Sequence, residues 1–137
     1  MAAEFLVAAV KEAVKGAREG RLVESFAAYQ ALFEDPRFAA APPDDQRQAL
    51  KLLLNPKGVS EPAPPEGAAV HQAAWTVLSA LVTATGEPKD HELLGLCHLR
   101  MGDPDGGKKV FEAGLAIAHA RNDSEWAGIL LKRISFL

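Results

Sequence analysis

Asp90-His-Glu-Leu-Leu-Gly-Leu-Cys-His-Leu-Arg100, Met101-Gly-Asp-Pro-Asp-Gly-Gly-Lys-Lys109 and Val110-Phe-Glu-Ala-Gly-Leu-Ala-Ile-Ala118 together decide the fold. Leu93, Leu94, Leu96, Cys97, Leu99 and Met101 cover most of one helical surface, and Val110, Phe111, Leu115 and Ala118 recur at helical spacing on a second. Between them, Gly102 suits the left-handed residue after a helix, Asp103 suits the N-cap of the next and Pro104 its first position. The stretch predicts a helical hairpin. Gly95 faces a register of Gly107, Phe111 and Gly114, so the two backbones approach closely while one aromatic ring fills the gap.

This register resembles the tetratricopeptide repeat, a 34-residue unit of two helices. Over residues 88 to 121, Leu94 and Gly95 match its Leu-Gly pair, Phe111 its aromatic, and Gly107 and Gly114 its small positions. His91, His98 and His119 stand where that family prefers Trp, Tyr and Pro. Weaker echoes fall at 6 to 39, where Gly20, Ser25 and Tyr29 repeat the spacing of Gly102, Gly107 and Phe111, and at 66 to 86, where Ala73, Val77 and Ala80 sit 34 residues before Gly107, Phe111 and Gly114. The resemblance implies an all-α, right-handed helical-hairpin solenoid of about seven helices.

Length agrees with a single domain over 1 to 137, long enough to bury about two-thirds of its unfolded surface without a disulfide. The one cysteine, Cys97, lies among leucines and reads as a buried, inert thiol suited to a reducing cytoplasm. A net charge of −3 with acidic and basic residues interleaved points away from nucleic acid. The apolar start, Met1 to Val14, lacks a basic leader and is interrupted by Lys11 and Glu12, so it reads as an amphipathic, alanine-rich helix packed on a neighbour, with neither export nor membrane insertion expected.

Further along, Gly20 breaks the first helix and Asp35-Pro36 ends the second, and an alanine-rich connector, Ala39 to Pro43, follows Phe38. Asp44 or Asp45 is expected to cap a short helix ending at Asn55-Pro56. A proline-rich loop spans 56 to 66. Gly67 to Thr85, apolar nearly all round, reads as a buried central helix, and Asn122-Asp123-Ser124 begins the last one.

Several patterns mimic chemistry. Gly102-Asp-Pro-Asp-Gly-Gly107-Lys108-Lys109 approaches a phosphate-binding loop, but Lys109 replaces the hydroxyl residue and no strand precedes it. His91, Cys97 and His98 are too few and too scattered on a helix for a four-coordinate metal. His98 reads as a core-edge ring with one nitrogen bonded, and His71 and His119 as helix-surface groups. Pro62-Ala-Pro-Pro65 satisfies a polyproline pattern without an adjacent arginine, and the basic strip Lys11, Lys15, Arg18 and Arg21 is interleaved with Glu12 and Glu19. No nucleophile relay or paired catalytic carboxylates are visible, so no enzyme, cofactor or metal is expected.

The expected activity is protein or peptide binding. In the resembled family, first helices of successive units line a concave groove; carried onto 88 to 137, those positions are Lys89, Glu92, Leu96, Leu99, Arg100, Trp126, Leu130 and Arg133. Glu92 and Leu96 stand where carboxylate-clamping members carry Lys and Asn, so an amphipathic helix or apolar segment fits better. A homo-oligomeric structural protein, a homodimer through the apolar Trp126 to Leu137 end, is the alternative.

Overall fold

The computed structural model describes residues 2–56 and 61–137, with side chains from Glu4 onward; part of the proline-rich loop expected at 56 to 66 therefore lies outside the described residues. Eight α-helices follow one another: α1 (Ala2–Arg18), α2 (Leu22–Glu34), α3 (Pro36–Ala40), α4 (Pro43–Leu54), α5 (Ala68–Thr85), α6 (Pro88–Arg100), α7 (Pro104–Ala120) and α8 (Ser124–Ser135), with a 3-10 turn at Pro65–Gly67. No strand occurs among the described residues.

The breaks follow local chemistry. Gly20 and Gly102, both at φ +76°, and Gly86 at +63° turn the chain where an L side chain is disfavoured, and Asn55 and Asn122 take the same region at φ 47° and 55°. Asp103 accepts from Gly106 N–H and Asp123 from Trp126 N–H, each capping the helix it precedes. Asp35 accepts from Arg37 N–H and starts α3, a short helix that runs into the first two residues of the expected connector and accounts for the eighth helix. Neither Asp44 nor Asp45 caps α4. Pro42 occupies that position, Pro43 opens the helix, and Asp44 turns instead to Arg47.

Two antiparallel hairpins, α1/α2 and α6/α7, are joined through α5, which packs on both α2 and α6, while α4 packs on α1 and α6 and α8 packs on α7. The larger core gathers Leu6, Phe26, Tyr29, Phe38, Leu50, Leu78, Leu93 and Cys97 among others; a smaller one holds Leu96, Phe111 and Leu130. The enclosed central helix is α6, in which every residue from Asp90 to Cys97 is buried. The expected central helix is α5, but it buries one stripe of Val70, His71, Ala74, Leu78 and Leu81, with Ala73, Trp75, Val77 and Val82 only partly covered beside it. Ala73 and Val77 are half-buried and Ala80 is exposed, so that echo of the repeat is not packed as a buried crossing.

The α6/α7 crossing is closed by its glycines. A Cβ built on Gly95 would enter the Phe111 ring, one on Gly114 would lie 2.6 Å from His91 Cβ, and one on Gly107 would lie 3.1 Å from the Gly95 carbonyl oxygen. Phe111 is fully buried there.

Candidate functional site

The eight groove positions separate into two sets. Leu96 and Leu130 are fully buried and belong to the smaller core, with Leu99 and Trp126 packed half-buried against them. These four support the surface more than they present it. Glu92 is buried too, its carboxylate accepting from Arg133 Nε at 3.0 Å. Lys89, with its side chain 39 % exposed, lies 4.0 Å from the Asp44 carboxylate.

Arg100 and Arg133 do not project freely. Arg133 donates to the Pro56 carbonyl as well as to Glu92, and Arg100 donates to the Glu61 carbonyl at 3.0 Å, while Ala63 N–H donates back to the Arg100 carbonyl at 2.7 Å. Both ends of the proline-rich loop are thus tied to α6 and α8, over positions expected to be open. Sequence reasoning treated the arginines as surface charges because nothing in the one-dimensional pattern shows which backbone carbonyls fold back on them.

On α8, Ile129 and Arg133 stand one turn apart, at i and i+4, and Phe136 follows as the residue that caps the helix end. Phe136 is 77 % exposed. Ile129 and Phe136 were absent from the expected groove, and the signal that finds Ile129 is that same spacing from Arg133. Leu131, half exposed, lies on another side of the helix.

An ion pair that the sequence does not announce joins α4 to the start of α6. Arg47 of α4 donates through Nε to Asp90 Oδ1 at 2.6 Å and through a terminal nitrogen to Oδ2 at 2.8 Å, and Thr85 Oγ1 donates to Oδ2 at 2.6 Å. Asp90 is fully buried at the first turn of α6, where the helix dipole also favours its charge. The Asp90 hydrogen bond, the largest influence, together with Asp44, raises the Arg47 pKa above its ordinary value, so the guanidinium stays charged. The available sequence signal was an arginine at i−3 and i−7 from Leu50 and Leu54, on an apolar stripe.

The histidines are accounted for individually. His91 Nδ1 bonds the Glu87 carbonyl at 2.8 Å and its side chain backs Gly114. His98 uses both nitrogens: Trp75 Nε1 donates to Nε2 at 3.1 Å, which leaves the proton on Nδ1 to be donated to Asp103 Oδ2 at 3.0 Å. Gly106 N–H first, and His98 next, hold the Asp103 carboxyl below its ordinary range. His71 departs from its expected surface position. It is 1 % exposed, stacked edge-on to Phe26, with Nδ1 2.7 Å from the Gly67 carbonyl. Burial lowers its pKa, with Arg100 adding to the effect, so the ring is held neutral and Nδ1 carries the proton.

Cys97 is buried, its thiol donating to the His71 carbonyl at 3.4 Å, and burial pushes its pKa up to about 12, so thiolate chemistry is suppressed. Among the described residues no three His, Cys, Asp or Glu side chains are grouped to hold a metal, and no helix is long and apolar enough to cross a membrane. Comparison of the chain with protein-family models, curated proteins and solved structures finds no match.

Proposed function

We propose that this chain is a protein-interaction module, a tetratricopeptide-like, right-handed helical-hairpin solenoid that takes an amphipathic helix or apolar segment of a partner against α8 and the open edge of α6. The observation that carries the reading is Phe136, 77 % exposed at the C-terminal end of α8, on the same segment as exposed Leu131 and half-buried Ile129. Aromatic side chains are among the types that dominate interface energies. The close α6/α7 crossing and the antiparallel packing of α5 through α8 support the repeat-like arrangement.

The test avoids the two arginines. Reversing Arg133 would set a second carboxylate against buried Glu92 and unfix the loop end at Pro56, so lost binding would be confounded with lost structure. Phe136→Glu with Lys89→Glu alters exposed atoms. The double variant should keep the parent helical circular dichroism and melting temperature while losing most of the partners that the parent chain captures. Full retention of every partner rules out this surface.

A second reading, a homo-oligomeric structural protein joined through α8, is favoured by Leu131, Phe136 and Leu137 all being exposed on one terminal segment. Sedimentation equilibrium separates the readings: a dimer dispersed by Leu131→Lys with Phe136→Glu supports this one, and a monomer across the micromolar range supports the first.

A further inference from the structure

Two bonds between side chains tie α5 to α6 among the described residues, one toward each end of the pair. Thr85 Oγ1 donates to Asp90 Oδ2 at 2.6 Å where α5 ends and α6 begins, and Trp75 Nε1 donates to His98 Nε2 at 3.1 Å near the C-terminal end of α6. The first tie ends on a fully buried carboxylate that Arg47 also holds. The second ends on a histidine whose side chain is 19 % exposed and therefore reaches solvent.

The donor inventory makes this second tie conditional on charge. An indole N–H can only donate, so His98 Nε2 is the bare nitrogen and the single ring proton sits on Nδ1, where it is donated to Asp103 Oδ2 at 3.0 Å. A further proton can go only to Nε2. There it meets the indole N–H donor to donor, with no acceptor between them. The Asp103 contact changes in the opposite sense, because a bond from an imidazolium to a carboxylate is charge-assisted. Asp103 is itself fixed: it caps α7 through Gly106 N–H, and a Cβ on Gly106 would lie 2.7 Å from His98 Nδ1, so the ring is seated against the first turn of α7. The Trp75 and His98 rings meet edge-on, with 78° between their planes, so the imidazolium gains no indole face in exchange for the lost bond. Of the two partners, Trp75 is the one to leave.

We propose that His98 is a proton-operated latch: neutral, it holds Trp75 and closes the C-terminal end of α6 against α5; protonated, it keeps Asp103 and releases Trp75. The proton is taken from solvent. Trp75 and His98 are both half-buried, so water accepts from the two N–H groups that part. The Thr85–Asp90 tie contains no histidine and holds the other end, so the motion opens α5 from α6 on the side where Ala63 and Arg100 fasten the loop end. The latch uses neither Lys89 nor Phe136 and is independent of the protein-binding reading.

The charged and titratable groups around the ring are few. α5 carries one, His71, whose charge is disfavoured by burial, with Arg100 adding to the effect. On α6 itself stand Cys97, kept a thiol by burial, and Arg100, whose guanidinium bonds the Glu61 carbonyl. From the α7 side come Asp103, held below its ordinary range by Gly106 N–H first and His98 next, and Lys109 beyond it, while Asp105 and Lys108 are exposed. Asp103 therefore stays a carboxylate, and His71 and Cys97 stay neutral, while His98 changes charge.

A titration of the full chain from about pH 8 to about pH 5, the interval in which histidine changes charge, tests the latch by NMR of the indole and imidazole nitrogens. At the upper end His98 should show the Nδ1–H tautomer, and the Trp75 indole proton should exchange slowly with water. At the lower end that proton should move upfield and exchange at least about fivefold faster, relative to free indole, as loss of one ordinary hydrogen bond allows. The Trp75 and His98 changes should share one midpoint, with the second indole, Trp126, as internal control. His98→Gln, whose amide oxygen can accept from the indole and which has no charge to gain, should leave the Trp75 signal flat. Asp103→Asn keeps an N-cap but removes the charge that holds the imidazolium, and should move the Trp75 transition to lower pH. A Trp75 signal that stays fixed while His98 titrates, a His98 ring that stays neutral throughout, a transition that survives His98→Gln, or one that Asp103→Asn leaves in place each overturns the proposal.

Discussion

The two helical hairpins solve the same packing problem with different margins. In α6/α7 a methyl group on Gly95 would enter the buried Phe111 ring and one on Gly114 would press on His91, while one on Gly107 would sit tightly at 3.0 Å from Leu99 and 3.1 Å from the Gly95 carbonyl oxygen. In α1/α2 the crossing is made by Ala13, Gly16 and Ser25, where Ser25 Oγ donates to the Ala13 carbonyl at 2.7 Å and a Cβ on Gly16 would meet its nearest neighbours at 3.4 Å, ordinary contact. One crossing is fixed by exclusion of volume, the other by a hydrogen bond with room to spare. The contrast predicts where substitutions will be felt.

The largest effect should come from the joint between the two halves. Removing one partner of the Arg47–Asp90 pair leaves the other charge buried and unpaired, so Asp90→Ala should cost about 3–5 kcal/mol in urea unfolding. Replacing both by apolar residues, Arg47→Met with Asp90→Leu, should recover most of that loss, since the desolvation of two ions is relieved together. A double variant as unstable as Asp90→Ala would mean that the pair is needed for more than mutual neutralisation, with Thr85 the first residue to examine.

Next in size is the tight crossing itself. Gly114→Leu must displace His91 Cβ and the Leu130 side chain, both held in buried surroundings, and should lower stability by about 1–3 kcal/mol despite leucine's better helix propensity of nearly 1 kcal/mol. Thermal unfolding measures it. An unchanged melting temperature would remove volume exclusion as the reason for glycine here and would weaken the repeat-like reading with it.

Legibility in the sequence followed the same division. The α6/α7 hairpin was readable because glycine spacing, Gly102-Asp103-Pro104 and Phe111 are local signals, each tied to a backbone requirement. What lay hidden was non-local. The enclosure of α6 depends on α4, α5, α7, α8 and the loop ends arriving from elsewhere, and composition alone favoured α5 because its apolar residues run all round the helix. Arg47 and Asp90 are 43 positions apart and neither is unusual in its own window. His71 looked like a surface residue because its burial depends on Phe26 of α2. Of the groove positions, the leucines were assigned to a surface because helical phase tells which side of a helix a residue is on and not what covers that side.

The looser crossing should respond on a smaller scale. Ser25→Ala removes a buried hydroxyl whose acceptor, the Ala13 carbonyl, lies within α1, so the loss should be about 1 kcal/mol, the ordinary net worth of one buried hydrogen bond. Chemical denaturation with an unchanged m-value would assign the change to stability alone. A loss as large as that of Gly114→Leu would make the two hairpins equivalent and undo the comparison.

The smallest expected effect carries the sharpest contrast, because it makes a glycine change in the permissive hairpin. Gly16 lies inside α1, near its C-terminal end, with its Cα buried against α2 but no positive φ to protect it. A methyl group there would rest 3.4 Å from the Arg21 carbonyl oxygen, Ser25 Cα and Ser25 Cβ, contacts that need little or no backbone movement. Against that modest crowding stands the helix propensity of alanine, which exceeds that of glycine by about 0.8–1 kcal/mol in a helix interior and somewhat less near an end. The two terms nearly balance with propensity ahead, so Gly16→Ala should leave the melting temperature unchanged or slightly raised, while Gly95→Ala, which drives a methyl group into the buried Phe111 ring, should lower it. Measured side by side, opposite signs for the same substitution establish that one crossing is closed by sterics and the other is not; a comparable loss in both would place the α1/α2 helices closer than their contacts allow and return Gly16 to the same role as Gly95.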